Sequence, residues 1–369
     1  MERLAWVNNG FICKELYAPF VVNKDIDYYS DLKSKYRLLK SQAVSAGANQ
    51  ESIDLINKYV QKIYNAINLY YKGNISSSHA IIKNYIKDCS DNNFAVNAII
   101  NSDAFPGIKG SEIQLFRARI SDDPRGFKSK DMLHLPIELR GKTGNYRFSI
   151  SGIPSLYLGN SSYACWIETG RPSDHLFNVS PVLVDGTQKI FNLAVRMRDY
   201  HCLNEFSKDK VNCWLKLLIL MIATSYTVEE SNRVFKSEYI ISQSVMLACN
   251  ELEFDGVAYF SKRVDDEIFA NIAINVALFA TYKKGKAYSD LCEHIKIDDS
   301  YNFALFKQLA YSLSYKDYEL RVRRTGLITN IGNYRRQYPY DETEFFRFDK
   351  FMFTSWNDKD TIPWGNALQ

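Results

Sequence analysis

The sequence has few of the residues that break a chain and no large excess of one charge. Only 9 of its 369 residues are proline and 17 are glycine, which excludes collagen-like and Pro/Gly-rich disordered proteins. Lys and Arg total 46 against 42 Asp and Glu, a net charge of +4. Such totals do not by themselves mark a nucleic-acid binder. The hydrophobic share of 46% is ordinary for a globular protein and predicts a folded core.

Metal-binding and disulfide patterns are missing as well. The seven cysteines are widely spaced, and the sequence contains no CxxC pair and no Cys/His cluster. Neither a disulfide framework nor a zinc site is therefore predicted, and we expect no metal cofactor.

Long hydrophobic runs are also absent. The most apolar stretch, residues 211–225, is interrupted by Lys216 and is too short to cross a bilayer. The first ten residues include Glu2 and lack the apolar run of a signal peptide. We therefore expect a cytoplasmic protein with no membrane partner.

The first hundred residues carry the pattern of amphipathic helices. Apolar residues recur at spacings of three and four over 25–43, 51–71 and 78–100, with breakers between these segments. The pattern changes at Phe105-Pro106-Gly107. We therefore predict an N-terminal helical module over residues 1–108.

The middle of the chain mixes strand and helix patterns. Helical spacing is found at 211–226 and 237–251, whereas 269–282 mixes β-branched residues with alanine and fits neither pattern. Because strands and helices do not alternate strictly, an α+β fold is favoured over a doubly wound parallel sheet. The tail after Thr325 is aromatic and polar with little periodicity, which gives a C-terminal extension over 326–369. The predicted strands are 112–120, 154–159, 176–184, 189–194 and 256–261.

Two arginines share one face of the first predicted strand. In a strand with a period of two, Arg117 and Arg119 point to the same side, about 7 Å apart along the chain. Guanidinium groups at this spacing suit a diphosphate, because its oxygens accept forked hydrogen bonds. The alternative is a solvated strand face.

Glu168 stands in an unfavourable local setting. Residues 156–170 predict a strand, an Asn/Ser cap, a short helix and a glycine stop. Glu168 then lies in the last helical turn, where the helix dipole disfavours an anion, and it follows an apolar run. Acids placed this way concentrate at functional sites. The alternative is a surface acid paired with Arg171.

Four segments in order resemble the RES domain, a family named for its Arg, Glu and Ser residues. They cover less than half of the chain, and the family's GGRWN-like segment corresponds to NYRFS around Arg147. The segments are LFRAR (115–119), YRFSISGIPSLYLGNSSYACWIE (146–168), YIISQ (239–243) and EFDGVAYFSKR (253–263).

The resemblance implies an ADP-ribosyltransferase-like α+β core over residues 109–325 that takes NAD as its substrate. Such a protein cleaves the nicotinamide–ribose bond and passes ADP-ribose to phosphate, water or a protein. Glu168 would be the catalytic carboxylate, and Ser261 would donate a hydrogen bond within the pocket. Arg117 and Arg147 would hold phosphates, and Tyr157 would pack against nicotinamide or ribose.

The resemblance also implies a toxin, and with it a protein partner. Many family members are toxins paired with an antitoxin, so we expect an antitoxin or immunity protein and consider a homo-oligomer.

Two other functions stay open at this point. Residues 316–340 interleave basic residues with tyrosines, a pattern that can hold single-stranded nucleic acid. A non-catalytic interaction protein on an inert RES-like scaffold is the third reading.

Overall fold

The computed structural model describes most of the chain. The described residues are 13–22, 26–90, 112–123, 125–194, 208–228, 233–264, 273–309, 327–331 and 334–356. The α-helices among them are α1 (Tyr28–Ser45), α2 (Gln50–Tyr71), α3 (Ile75–Ser90), α4 (Ser129–Met132), α5 (Ser162–Glu168), α6 (Lys208–Thr224), α7 (Ile240–Glu251), α8 (Phe303–Leu309) and α9 (Glu344–Ser355). The strands are β1 (Ile113–Ile120), β2 (Ser155–Gly159), β3 (Phe177–Val184), β4 (Ile190–Asn192), β5 (Gly256–Phe260), β6 (Ile274–Phe279), β7 (Ile295–Ile297), β8 (Tyr301–Asn302), β9 (Leu327–Ile331) and β10 (Tyr334–Pro339).

Eight strands form one mixed sheet in the order β4-β5-β6-β2-β1-β3-β7, with β8 beside β3. β4 and β5 run parallel, and the other neighbouring strands are antiparallel. β9 and β10 form a separate hairpin. The molecule therefore combines helices with a mixed sheet, in agreement with the predicted α+β class.

Polar side chains fix the starts of several helices. Asp27 accepts hydrogen bonds from the amides of Tyr29 and Ser30 at the start of α1. Asn49 does the same for Ser52 in α2, at 2.9 Å. Such caps satisfy backbone N–H groups that have no partner within the helix.

A layer of helices covers one face of the sheet. Some of these helices precede the boundary predicted near residue 108, and others follow it. Helices α1 to α3 share a single hydrophobic core with α6, α7 and residues of β4, β5 and β6. The tyrosines of the N-terminal helices also reach backbone carbonyls of α6. Tyr28 donates to Ala223 at 2.8 Å and Tyr36 to Ile219 at 2.8 Å. Tyrosines in this layer therefore join the N-terminal helices to α6 by hydrogen bonds.

The opposite face and the far end of the sheet have cores of their own. Alternate residues of β1, β2, β5 and β6, such as Leu115 and Val276, form the second core. The third core surrounds Phe116 and includes aromatic side chains from α8 and α9, among them Phe303 and Phe353. Because successive strand residues point to opposite faces, Leu115 and Phe116 belong to different cores.

In three segments the structure differs from the sequence prediction or assigns an element where the prediction left none. The ambiguous residues 269–282 contain β6, which is buried along its whole length. The tail contains the β9–β10 hairpin and α9, where little periodicity had been found. The third N-terminal helix ends at Ser90 within the described residues, and 91–100 lie outside them. The division into domains stays a prediction.

Candidate active site

A pocket of about 530 Å³ lies where β1 and β2 separate. These two strands pair only at Phe116 opposite Gly159, whereas β1 pairs with β3 along its whole length. The gap leaves the backbone of β2 before Gly159 without a strand partner on that side. The pocket occupies this opening and extends to the end of α5.

Arg117 lies in the gap between the two strands. Its Nη1 donates to the carbonyl oxygen of Tyr157 at 2.8 Å, at a point where a strand neighbour would otherwise bond. Its Nε is buried and has no hydrogen-bond partner among the described residues. Burial and the nearby Arg119 lower the pKa of Arg117 to about 10. Arg117 is therefore a partly buried cation in the pocket wall, with its Nε enclosed by protein.

The local structure around Glu168 follows the sequence prediction closely. Ser161 caps α5 by accepting from the amide of Ala164 at 2.9 Å, and Glu168 is the last residue of the helix. Gly170 ends the helix at a φ of +90°, a backbone conformation that favours glycine. Gly159 allows α5 to approach β2, since a Cβ there would lie 2.9 Å from Cys165 Sγ.

Glu168 is surrounded by hydrogen-bond donors. Its Oε1 accepts from Ser261 Oγ at 2.5 Å and from Asn275 Nδ2 at 2.6 Å. Its Oε2 lies 3.8 Å from the Nε of Arg263. The cation beside Glu168 is thus Arg263, whereas Arg171 donates to the carbonyl oxygen of Arg263 at 3.4 Å. The predicted alternative of a surface pair between Glu168 and Arg171 does not describe this geometry.

Tyr157 lines the pocket beside Arg117. Its hydroxyl donates to Ser149 Oγ at 3.1 Å, and its ring contacts Tyr146 edge-on at 5.8 Å. Burial raises the pKa of Tyr157 above its usual range. Tyr157 therefore stays a neutral aromatic wall with a fixed orientation.

Arg147 also lines the pocket but is occupied by backbone contacts. Its guanidinium donates to the carbonyl oxygens of Thr224 at 2.7 Å and Tyr226 at 2.5 Å. It also lies 5.1 Å from the ring centre of Tyr239. These contacts anchor the end of α6 to the pocket, so a phosphate ligand would have to share Arg147 with them.

The five residues singled out in the sequence come together in space. Arg117, Arg147, Tyr157 and Glu168 line the pocket, and Ser261 contacts Glu168. Sequence reasoning missed Asn275, because it lies in the ambiguous segment 269–282. Only the neighbouring strand order, which the sequence does not give, brings it to Glu168. The other missed lining residues include Tyr146, Tyr239, Tyr259, Lys142 and Thr169.

The pocket is strongly cationic. Glu168 is the one carboxylate among the described residues that line it, against six basic side chains. A low-dielectric cleft lined by one sign of charge concentrates ions of the opposite sign. The site therefore suits a ligand with several negative charges. Its basic residues are Arg117, Arg119, Lys142, Arg147, Lys262 and Arg263.

His134 is a wall residue held in a neutral form. Its Nδ1 lies 3.0 Å from the carbonyl oxygen of Leu135. Because a carbonyl oxygen can only accept, Nδ1 carries the proton and donates it. Its Nε2 lies 2.8 Å from Ser289 Oγ. Burial and the charge of Arg117 lower the pKa of His134. These contacts give His134 a structural role in the pocket wall.

The basic, tyrosine-containing segment 316–340 lies largely outside the described residues. Residues 316–326, 332 and 333 are not described, and for β9 and most of β10 only the backbone is. The nucleic-acid hypothesis for this segment stays a prediction.

Two kinds of feature are absent from the described residues. No helix among them has both the length and the hydropathy needed to cross a membrane. No group of three or more His, Cys, Asp or Glu side chains in these parts of the chain is placed to hold a metal ion.

Comparison with known proteins points toward toxins. The chain is 28% identical over 332 residues to a Bacillus subtilis (strain 168) protein named "Putative toxin YopC", covering 82% of this chain and 70% of that protein. A chain from the crystal structure of the M. tuberculosis MbcT-MbcA toxin-antitoxin complex aligns with 59% of this chain and 98% of its own length. That alignment has 13% identity and a TM-score of 0.28, which is too low to carry an argument. No family model matches the sequence. The similarity to a protein named as a toxin supports that part of the sequence prediction.

Proposed function

We propose that the protein is a RES-type toxin that binds NAD and cleaves its nicotinamide–ribose bond. The observation that carries the proposal is the meeting of Glu168 and Ser261 with Arg117 in one cationic, tyrosine-lined pocket. These residues come from segments that lie far apart in the sequence. They are the ones that the RES resemblance assigns to the reaction.

The pocket's chemistry matches a dinucleotide. NAD carries a diphosphate between two nucleosides with flat bases. Arg117 and Arg119 offer positive charge to the diphosphate, and desolvation lowers the pKa of both. A bound anion would offset the repulsion between the two guanidinium groups, because an opposite charge nearby favours their charged forms. The rings of Tyr157 and Tyr146 offer surfaces against which a base or ribose can pack.

The reaction needs a carboxylate more than a proton donor. As the bond between ribose C1′ and the pyridinium nitrogen breaks, its electron pair stays with the nitrogen and nicotinamide leaves neutral. Positive charge then develops on the ribose, which the Glu168 carboxylate stabilises electrostatically. An oxygen of the acceptor forms the new bond to C1′. With water as acceptor, the proton it loses passes to solvent or to Glu168.

Three acceptors are compatible with this site, and each gives a distinct product. Water gives ADP-ribose, inorganic phosphate gives a phosphorylated ADP-ribose, and a protein gives an adduct heavier by one ADP-ribosyl group. The corresponding activities are NAD glycohydrolase, NAD phosphorylase and ADP-ribosyltransferase.

The proposal is tested by incubating purified protein with NAD, with and without inorganic phosphate. Chromatography and mass spectrometry should detect free nicotinamide together with one of the three products. NAD that stays intact over hours, alongside salt-dependent binding of RNA or DNA, would instead favour the nucleic-acid function.

The toxin part of the proposal predicts an early loss of NAD in cells. On induced expression in a bacterial host, cellular NAD should fall before growth stops. A Glu168→Gln variant expressed at the same level serves as the control and should leave NAD unchanged. Growth arrest with normal NAD would contradict this route to toxicity. An antitoxin or immunity protein would be expected to restore both NAD and growth.

A further inference from the structure

We propose that Asn275 is a positioning residue that fixes the Glu168 carboxylate and selects which of its oxygens faces the substrate. This inference rests on the proposed function. Asn275 Nδ2 donates to Glu168 Oε1 at 2.6 Å, and the side chain is almost fully buried. An ionised carboxylate only accepts hydrogen bonds, so the amide nitrogen must be the atom that faces it.

The two strong donors contact the same oxygen. Ser261 Oγ lies 2.5 Å from Oε1, so Oε1 accepts from both Ser261 and Asn275. Oε2 has the looser contact with Arg263 Nε, at 3.8 Å. Oε1 is therefore the held oxygen, and Oε2 is the one available to the ribose.

The sheet gives Asn275 a fixed place from which to act. β6 lies between β2 and β5, and Asn275 stands opposite Gly159 on one side and Tyr259 on the other. The amide of the preceding residue, Ile274, donates to Asn160 Oδ1 at 3.0 Å. The neighbouring Gly159 has no side chain, which lets α5 and Glu168 come within reach of the Asn275 amide.

An amide suits this role better than a cation would. A buried lysine or arginine at hydrogen-bond distance would neutralise Glu168 and weaken its attraction to a developing ribose cation. Asn275 orients the carboxylate without adding a charge. The negative charge of Glu168 then remains available for the reaction.

The test is the isosteric Asn275→Asp variant, with Asn275→Ala beside it. Two carboxyls about 2.6 Å apart cannot both ionise easily. The acid limb of the pH–rate profile for nicotinamide release should therefore move up by about 1–3 pH units. Asn275→Ala should lower kcat more than it raises KM, with no such shift. The matched control is Asn192→Asp, a buried residue outside the pocket whose Oδ1 contact with the Ala194 amide an aspartate can keep.

A second readout separates this inference from the proposed function. In protein labelled with ¹³C at glutamate side chains, the Glu168 signal is assigned by its loss in Glu168→Gln. Its titration midpoint should rise in Asn275→Asp and stay unchanged in Asn192→Asp. If the midpoint moves but the wild-type protein never cleaves NAD, the coupling between the two residues stands and the proposed function fails. If NAD is cleaved while Asn275→Asp changes neither the pH profile nor the midpoint, the inference is overturned.

Discussion

The two hydrogen bonds that Glu168 accepts do not require it to carry a charge. A glutamine at this position keeps one oxygen that can accept from Ser261 and Asn275. It also removes an anion from the end of α5, where the helix dipole opposes it. We therefore expect Glu168→Gln to melt at the wild-type temperature or slightly above it and to retain NAD binding. Nicotinamide release should fall by about 10²–10³, the usual loss for one charge-stabilising group.

Thermal melting with and without NAD, run beside a nicotinamide-release assay, separates these effects. The exposed Glu293→Gln, outside the pocket, is the matched control and should behave as wild type in both assays. Normal turnover in Glu168→Gln would refute the catalytic assignment, and a variant that unfolds would make Glu168 a structural residue.

Arg117 makes one structural hydrogen bond through Nη1, and its Nε has no hydrogen-bond partner among the described residues. Its Nη1 bonds the Tyr157 carbonyl, which orients the guanidinium across the gap between β1 and β2. Lysine at this position keeps the charge but cannot hold the carbonyl and a phosphate in a fork. We expect Arg117→Lys to raise KM for NAD about 10- to 100-fold, the value of one or two hydrogen bonds to a charged group. Arg125→Lys, on a fully exposed arginine, is the matched control, and wild-type kinetics in Arg117→Lys would show that no phosphate is gripped there.

At this scale the sequence predicted which residues lie close together better than what each of them contacts. The order of the RES-like segments was enough to select Arg117, Tyr157, Glu168 and Ser261, and the structure groups them. The backbone contacts of Arg147 depend on the distant end of α6, and the contact of Asn275 with Glu168 depends on a distant strand. No local sequence pattern encodes such contacts.

Helix α9 supports the element that carries Glu168. Asp349, fully buried on α9, accepts from the amide of Ser162 at the start of α5 at 3.0 Å and from the Tyr340 hydroxyl at 2.7 Å. Ser162 Oγ also donates to the Phe345 carbonyl at 3.3 Å. The C-terminal extension thus holds one end of a helix whose other end carries Glu168.

Removing the Asp349 carboxylate should therefore destabilise the fold and disturb the site. Asp349→Ala removes the acceptor of two hydrogen bonds in a buried setting, and we expect a loss of about 2–4 kcal/mol in the free energy of unfolding. Asp349→Asn keeps one acceptor oxygen and should lose less, with partial recovery of nicotinamide release. Urea unfolding measures the first effect. The exposed Asp341→Asn is the control, and an Asp349→Ala protein as stable as wild type would show that the contact adds nothing.

Among the elements, strands with clean alternation were predicted almost to the residue, as β1 and β3 show. The sequence prediction missed α9, although Phe348, Met352 and Phe353 recur at helical spacing and are buried together. Its phenylalanines contact several elements, including Phe116 in β1 and Phe303 in α8.

Across the whole molecule, the N-terminal helices and the sheet depend on a shared layer. α6 and α7 follow the predicted boundary at residue 108 and lie in the chain between β4 and β5, yet both share one core with α1 to α3. Leu217, Leu218 and Ile222 of α6 are fully buried. A helix that is buried on all sides must pack against other elements on every side. For α6 these elements are the N-terminal helices and the sheet.

Deletion of residues 1–108 should therefore leave a chain that cannot fold alone. The loss of α1 to α3 uncovers apolar surface on α6 and α7 and removes the Tyr28 and Tyr36 bonds to the α6 backbone. Each fully uncovered Leu or Ile side chain forfeits about 1.5–3 kcal/mol, so the loss from about five of them is comparable with the roughly 5–15 kcal/mol that stabilises a typical domain. The 109–369 fragment should lack a cooperative thermal transition and aggregate, and co-expression with residues 1–108 as a separate chain should restore solubility. A fragment that melts cooperatively near the full-length temperature would instead establish residues 1–108 as an independent module.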